Sequence, residues 1–175
     1  LLWASAFLQQ IPYDPVRDFA PITRVLTLPN VLVVTSSLPV KSVKDLIDLA
    51  RAKKGDLDYG TASTGGSAHL AAELFKSMAG VSMVRISHKS SADMINSALS
   101  GQVPVAFATM TSGIPHIKSG KLRGVAVTSS RPTELLPGLP TVADTLPGYT
   151  AGGDVVMLAP PKVPTAIINR LNRET

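Results

Sequence analysis

Cysteine is absent from this chain, and with it go disulfides, thiolate metal sites and a cysteine nucleophile. Aromatic residues make up only 5% and charged residues 17%, against 45% hydrophobic, a balance foreign to disordered and coiled-coil chains. Long apolar runs are also lacking. The one sustained stretch at the amino end, residues 1–8, is far shorter than the roughly 20 residues of a membrane helix. It has neither the basic start nor the small-residue cleavage site of a signal peptide, and reads as a strand end and loop cut from something longer. The 175 residues suffice for one compact domain with a real core, or for a domain plus an arm.

Catalytic signatures are missing as well. His69, His88 and His116 stand in no H-E-x-x-H spacing and have no acids placed as metal ligands. Gly65-Gly66-Ser67-Ala68-His69 puts a histidine where a nucleophile elbow needs its second glycine. Gly120-Lys121 is followed by Leu122, so no phosphate-binding P-loop exists. The pattern calls for no metal and no cofactor. The 17 basic and 12 acidic residues leave a net charge of +5, but the basic residues are scattered and not interleaved with aromatics. That argues against a nucleic-acid partner and suits a modest field that draws in small acids.

What is present is an alternation of short strands and helices. The β-branched residues 31–35 are followed by a helix over 42–54, with Val43, Leu46, Ile47, Leu49 and Ala50 on one side and Gly55 as its stop. A strand over 57–61 leads into a helix over 67–78, with Leu70, Leu74 and Phe75 facing inward and Gly80 ending it. Next come a strand 83–87, a turn 88–91, a helix 92–99, a strand 103–108, a turn 109–113, a helix 114–119 and a strand 122–128. This order predicts an α/β lobe whose mostly parallel sheet is flanked by helices. The proline-rich remainder predicts crossover segments, a short helix over 141–146, a run over 155–159 and a last helix over 165–172.

In a parallel sheet ligands sit outside the carboxyl ends of the strands, which makes three turns candidates for one rim: 61–67, 88–91 and 109–112. The first is the most informative. Thr61, Ser63, Thr64, Gly65, Gly66 and Ser67 lie where a strand ends and an amphipathic helix begins. Glycines let the backbone approach a ligand, and the first free N–H groups of a helix carry the positive end of its dipole. Two readings stand side by side: an anion cradle, or plain capping of the helix by Ser63, Thr64 and Ser67. His69 either faces the ligand or covers the core, and Lys89 is either a solvated charge or a hold on an acid.

Several stretches carry more than local structure. They include Pro12-Tyr13-Asp14-Pro15-Val16-Arg17-Asp18-Phe19-Ala20-Pro21-Ile22-Thr23, Pro29-Asn30-Val31-Leu32-Val33-Val34 and His69-Leu70-Ala71-Ala72-Glu73-Leu74-Phe75-Lys76. Further ones are Gly101-Gln102-Val103, the run from His116 to Arg123, Ala126-Val127-Thr128, Leu139-Pro140-Thr141-Val142-Ala143 and Leu158-Ala159-Pro160. Together they resemble the Bug/TctC family of periplasmic substrate-binding proteins. The resemblance implies a type II periplasmic-binding-protein fold holding a small carboxylate between two lobes. It also implies a membrane permease of a tripartite tricarboxylate transporter as partner, and transport rather than catalysis as the task.

Carried over, the ligand loop is Thr61 to Ser67 with His69 behind it, and a Tyr-Lys-Gly turn becomes His88-Lys89-Ser90. The usual aspartate after Gly-Gln-Val falls at Thr109, removing a negative charge, and Asp154 takes the place of a cleft tryptophan. The resemblance divides the chain into a remnant of the first lobe and crossover (1–28), the second, ligand-binding lobe (29–130) and a crossover returning to the first lobe (131–175). Such a truncated domain is expected to bind weakly or not at all. Two missing hydrogen bonds to a charged group cost roughly a hundred- to ten-thousandfold in affinity. Its exposed crossover surfaces are expected to drive a homodimer. The reading from another class is a catalytic α/β domain acting on an acyl or phosphorylated substrate through the same cradle.

Overall fold

The computed structural model describes Ala6 and residues 10–175. The chain divides into two compact units, Leu1–Leu28 with Gly153–Thr175, and Pro29–Gly152. Strand β1 (Ala20–Thr35) contributes to both. In the larger unit it is followed by α1 (Val43–Ala52), β2 (Asp58–Thr61), α2 (Ser67–Ala79) and β3 (Val84–Ser87). Then come α3 (Ser91–Leu99), β4 (Val105–Thr109), α4 (Met110–Lys118), β5 (Leu122–Val127) and a 3-10 turn at Val142–Asp144. In the smaller unit β6 (Gly152–Ala159) pairs with β1, and α5 (Thr165–Glu174) follows. There Asp154 accepts a hydrogen bond from the Thr27 hydroxyl. Among the described residues no helix is long and apolar enough to cross a membrane.

The sheet runs in the order β3-β2-β4-β1-β5. It is mixed. β2 pairs in parallel with β3 and β4, whereas β1 enters antiparallel between β4 and β5. The expected parallel character therefore holds for the β3-β2-β4 half alone. Both faces are covered, which is why Val31, Leu32, Val33 and Val34 of β1 are all buried with no polar alternation. Leu32 and Val34 share a core with Leu46 of α1 and Phe75 of α2, and with Tyr59 of β2 and Phe107 of β4. Val31 and Val33 point the other way, onto Met94, Ile95 and Met110 of α3 and α4.

Local chemistry explains most element ends. Ser42 and Asp45 form a reciprocal capping box at the start of α1, and Lys54 and Gly55, both at positive φ, stop the chain just past it. Gly80, in the left-handed region at φ 60°, closes α2.

Two helix expectations need correction. In α2 the buried face is Ala71, Ala72, Phe75 and Ala79, while Leu70 and Leu74 are 42% and 36% exposed. Three alanines let the helix lie close to the sheet, and Tyr149 fastens it there by donating its hydroxyl hydrogen to the Ala71 carbonyl at 2.8 Å. The leucines fall on the outer side of that contact. Helix α4 starts at Met110, four residues before the expected Ile114. Pro115 lies in its second turn, where the missing N–H deprives only the Thr111 carbonyl of a partner.

Candidate functional site

The carboxyl ends of the parallel strands β2 and β4 are Thr61 and Thr109, and a helix starts within a few residues of each. Between them lies a hollow of about 60 Å³, lined on one side by Ala62, Ser63, Gly66, Ser67 and Ala68 and on the other by Ser91, Met94, Phe107 and Thr109. The whole of it belongs to the larger unit.

The helix starts of the larger unit are built differently from one another. α1 and α3 are sealed: Ser42 and Ser90 accept the N–H groups of Asp45 and Asp93, and each helix carries that aspartate in its first turn. The N-caps of α2 and α4, Gly66 and Thr109, make no side-chain cap bond, and neither first turn holds an acid. The capping reading of Ser63, Thr64 and Ser67 is therefore overturned. Thr64 Oγ1 accepts from Arg85 Nη2 at 3.0 Å, Ser67 Oγ donates to Asn30 Oδ1 at 3.2 Å, and Ser63 gives its carbonyl, at 3.3 Å, to the N–H of Gly66. The first N–H groups of α2, on Ser67, Ala68 and His69, have no intrahelical acceptor, and no hydrogen bond from them to the protein is found among the described residues.

Gly65 makes the loop possible. Its φ of 74° lies where a side chain costs energy, and its N–H is donated to His69 Nδ1 at 3.0 Å. His69 thus lies behind the loop as an acceptor. Its ring is held neutral: burial lowers its pKa, the positive Arg85 lowers it further, Glu73 opposes and Lys76 adds to the depression. His69 Nε2 faces Glu73 Oε1 at 3.9 Å. Lys76 Nζ meets both Glu73 oxygens at 3.0 Å, and the Tyr59 hydroxyl donates to the same carboxylate. Burial tends to raise the Glu73 pKa, but the Tyr59 bond and Lys76 outweigh it, and the net direction is down. Burial and the bond to Glu73 push the Tyr59 phenol up.

The sequence-expected residues separate into groups. Ser63, Gly66, Ser67 and Thr109 line the hollow, and Thr61, Thr64, Gly65 and His69 form the structure behind it. His88, Lys89 and Ser90 are not among the lining residues. His88 is bound on both ring nitrogens, to the Ile86 carbonyl at 3.1 Å and the Ser97 hydroxyl at 2.9 Å. Ser90 spends its hydroxyl as the cap of α3, and Lys89 is exposed, with no ion pair among the described residues. Thr109 Oγ1 lies 2.9 Å from Ser112 Oγ and 3.2 Å from Thr111 Oγ1.

Sequence reasoning missed two residues. Asn30, 1% exposed and opposite Thr109 in the β1–β4 register, keeps a buried side-chain N–H₂ with no partner among the described residues. The only hint was a polar residue opening an otherwise apolar strand. Arg85 on β3 gave no local signal at all. Among the described residues no group of three or more His, Cys, Asp and Glu could hold a metal.

Fold and hollow together define an α/β unit with two unsealed helix starts at one mouth. The chain belongs to the tripartite tricarboxylate transporter receptor family, TctC, whose model matches residues 3–175. It is 31% identical over 170 residues to a protein of a Pseudomonas species encoded between tcbD and tcbE, and 31% identical over 169 residues to BugT of Bordetella pertussis. Each match covers 96% of this chain but 51% and 52% of the relative, so the chain spans about half the length of the curated relatives it matches. Among solved structures, Rpa4515 of Rhodopseudomonas palustris, determined with adipate, is 38% identical with a TM-score of 0.83. That match covers 94% of this chain and 56% of the other. The periplasmic binding protein BugD is 28% identical, with a TM-score of 0.79 over 91% of this chain and 54% of its own.

Proposed function

We propose that this chain is the part of an extracytoplasmic solute receptor that grips one carboxylate of a small organic acid. The observation that carries this reading is the contrast between helix starts. α1 and α3 are capped by serine and aspartate, while α2 and α4, which open on the hollow, are left bare. Bare N–H groups with the dipole behind them favour an anion. A hollow of about 60 Å³ has room for a carboxylate group beside those N–H groups.

Adipate is the first ligand to test, because the similar Rhodopseudomonas palustris structure was solved with it. The receptor works in the periplasm and hands its ligand to the membrane permease of a tripartite tricarboxylate transporter. Residues 29–130 serve as the second lobe, and 1–28 with 131–175 serve as crossovers and part of the first. The task is binding and not turnover. Three charge-assisted hydrogen bonds of about 1.5–3 kcal/mol each, less the cost of association, put this chain alone at millimolar affinity or weaker.

Thermal denaturation tests the reading. Adipate raises the melting temperature in a concentration-dependent way, and adipamide, of the same shape without charge, does not. Equal effects of the two compounds would remove the carboxylate from the proposal. Ser67→Ala and His69→Ala separate binder from catalyst: a binder loses affinity and shows no product in either variant, whereas an acyl or phosphoryl hydrolase loses rate.

A further inference from the structure

Arg85 lies opposite Tyr59 in the parallel β2–β3 register, on the sheet face that carries α2. Among the described residues its guanidinium makes three hydrogen bonds, all to hydroxyls: Nε donates to Thr61 Oγ1 at 2.9 Å, and Nη2 donates to Thr64 Oγ1 at 3.0 Å and Ser87 Oγ at 3.2 Å. Thr61 and Thr64 bracket the turn where the chain leaves β2 for the start of α2. One planar fork therefore ties the first and middle parts of the loop to the neighbouring strand, a geometry an ammonium group cannot reproduce.

The charge balance around it is equally specific. Half-buried arginines commonly pair with a carboxylate, yet among the described residues Arg85 has no ion pair. Glu73, the carboxylate of this cluster, is already engaged by Lys76 and by the Tyr59 hydroxyl. With His69 neutral, Arg85 and Lys76 against Glu73 leave one positive charge uncompensated behind the loop. The hydroxyls that accept from Arg85 keep their own hydrogens free to donate elsewhere.

We propose that Arg85 is the positioning residue of the anion cradle: its fork on Thr61 and Thr64 holds the β2–α2 loop open, and its unpaired charge balances the bound carboxylate. The second half rests on the carboxylate-binding reading above, and the first half stands without it. The residue acts through the loop and through its field.

Arg85→Met and Arg85→Lys in the 175-residue chain test both halves, read by nuclear magnetic resonance. Without ligand, ¹⁵N relaxation of residues 62–66 reports loop order. With adipate and adipamide, amide shifts report affinity, and the His69 ring titration reports the local field. In Arg85→Met the loop amides lose order, adipate binds about tenfold more weakly or worse, the preference over adipamide narrows, and the His69 titration moves up. Arg85→Lys restores part of the affinity and of the His69 shift but not the loop order, a split that lost packing does not produce.

An unchanged loop in both variants overturns the positioning half, and adipate affinity within twofold of wild type in Arg85→Met overturns the charge half. If wild type shows no adipate shift at the α2 amides, the carboxylate reading fails with the charge half, and the ligand-free relaxation still decides whether Arg85 holds the loop. Should Arg85→Met unfold, Arg85→Lys carries the same decision: an ordered loop there overturns the fork.

Discussion

His69 Nδ1 accepts the amide hydrogen of Gly65 across 3.0 Å, joining the first turn of α2 to the loop in front of it. The bond requires a lone pair on Nδ1 and so a neutral ring with its proton on Nε2, facing Glu73. Burial and then Arg85 hold the His69 pKa below its ordinary 6.5, with Lys76 in the same direction and Glu73 against. Gly65, His69 and Arg85 thus belong to one device.

The sign of its pH dependence follows. A histidine whose pKa is lowered on folding adds stability that is fully present above about pH 6.5, and loses it as pH falls through that value toward the lowered one. Glu73, whose pKa is also lowered, stays ionised through this window and titrates in a more acidic one. Chemical denaturation between pH 5 and 8 is therefore expected to show stability falling on the acid side in wild type, and a flatter profile in His69→Ala. Parallel profiles would remove His69 from the device.

Gly65→Ala and Gly80→Ala form a matched pair. Both glycines have positive φ, 74° and 60°, so a methyl costs about 1–2 kcal/mol at either. An added Cβ at Gly80 meets nothing within 4 Å, and Gly80 lies at the far end of α2. Both variants are expected to melt a few degrees lower, and only Gly65→Ala to weaken adipate as well. Melting and titration on the two proteins check this, and equal loss of affinity would show that the loop has no special part.

Asn30 gives a test of opposite charge. Asn30→Asp replaces a buried, unpartnered donor by a carboxylate beside Ser67. A lone buried charge costs about 3–5 kcal/mol, so the variant is expected to be markedly less stable at pH 7 and to recover on acidification, the reverse of the His69 profile. Asn30→Ala removes the orphaned N–H₂ and, with it, the acceptor of the half-buried Ser67 hydroxyl, and is expected to cost far less than a buried charge. Denaturation midpoints at pH 5 and 7 check both.

Much of the larger unit was legible because its signals are local. The β-branched run in β1 and the glycines after α1 and α2 each act within a few residues. Strand direction is not local. The antiparallel entry of β1 between β4 and β5 depends on partners far along the chain, as does the extension of β1 back through Pro29 and Pro21, where proline suggested a crossover. The inward face of α2 was misjudged for a related reason. Leucine carries more apolar area than alanine, but close helix–sheet contact selects the smaller side chain, and that preference is visible only in the packed structure.

The candidate site shows the same division. The 61–67 loop announces itself through glycines and hydroxyls, and that composition could not separate capping from an open helix start. Separating them requires Arg85 and Asn30, which lie 21 residues from Thr64 and 37 from Ser67 and take up those hydroxyls. His88 and Ser90 occupy a turn of the right chemistry, but Ile86, Ser97 and Asp93 already use their polar atoms.

Amide-resolved titration of the ¹⁵N-labelled chain with sodium adipate is the most direct measurement. Capture at the unsealed helix starts predicts that Ser67, Ala68 and His69 shift most, with Met110 to Ser112 next, and that adipamide leaves both sets in place. Saturable shifts centred on another part of the chain, or none at adipate well above millimolar, would contradict it.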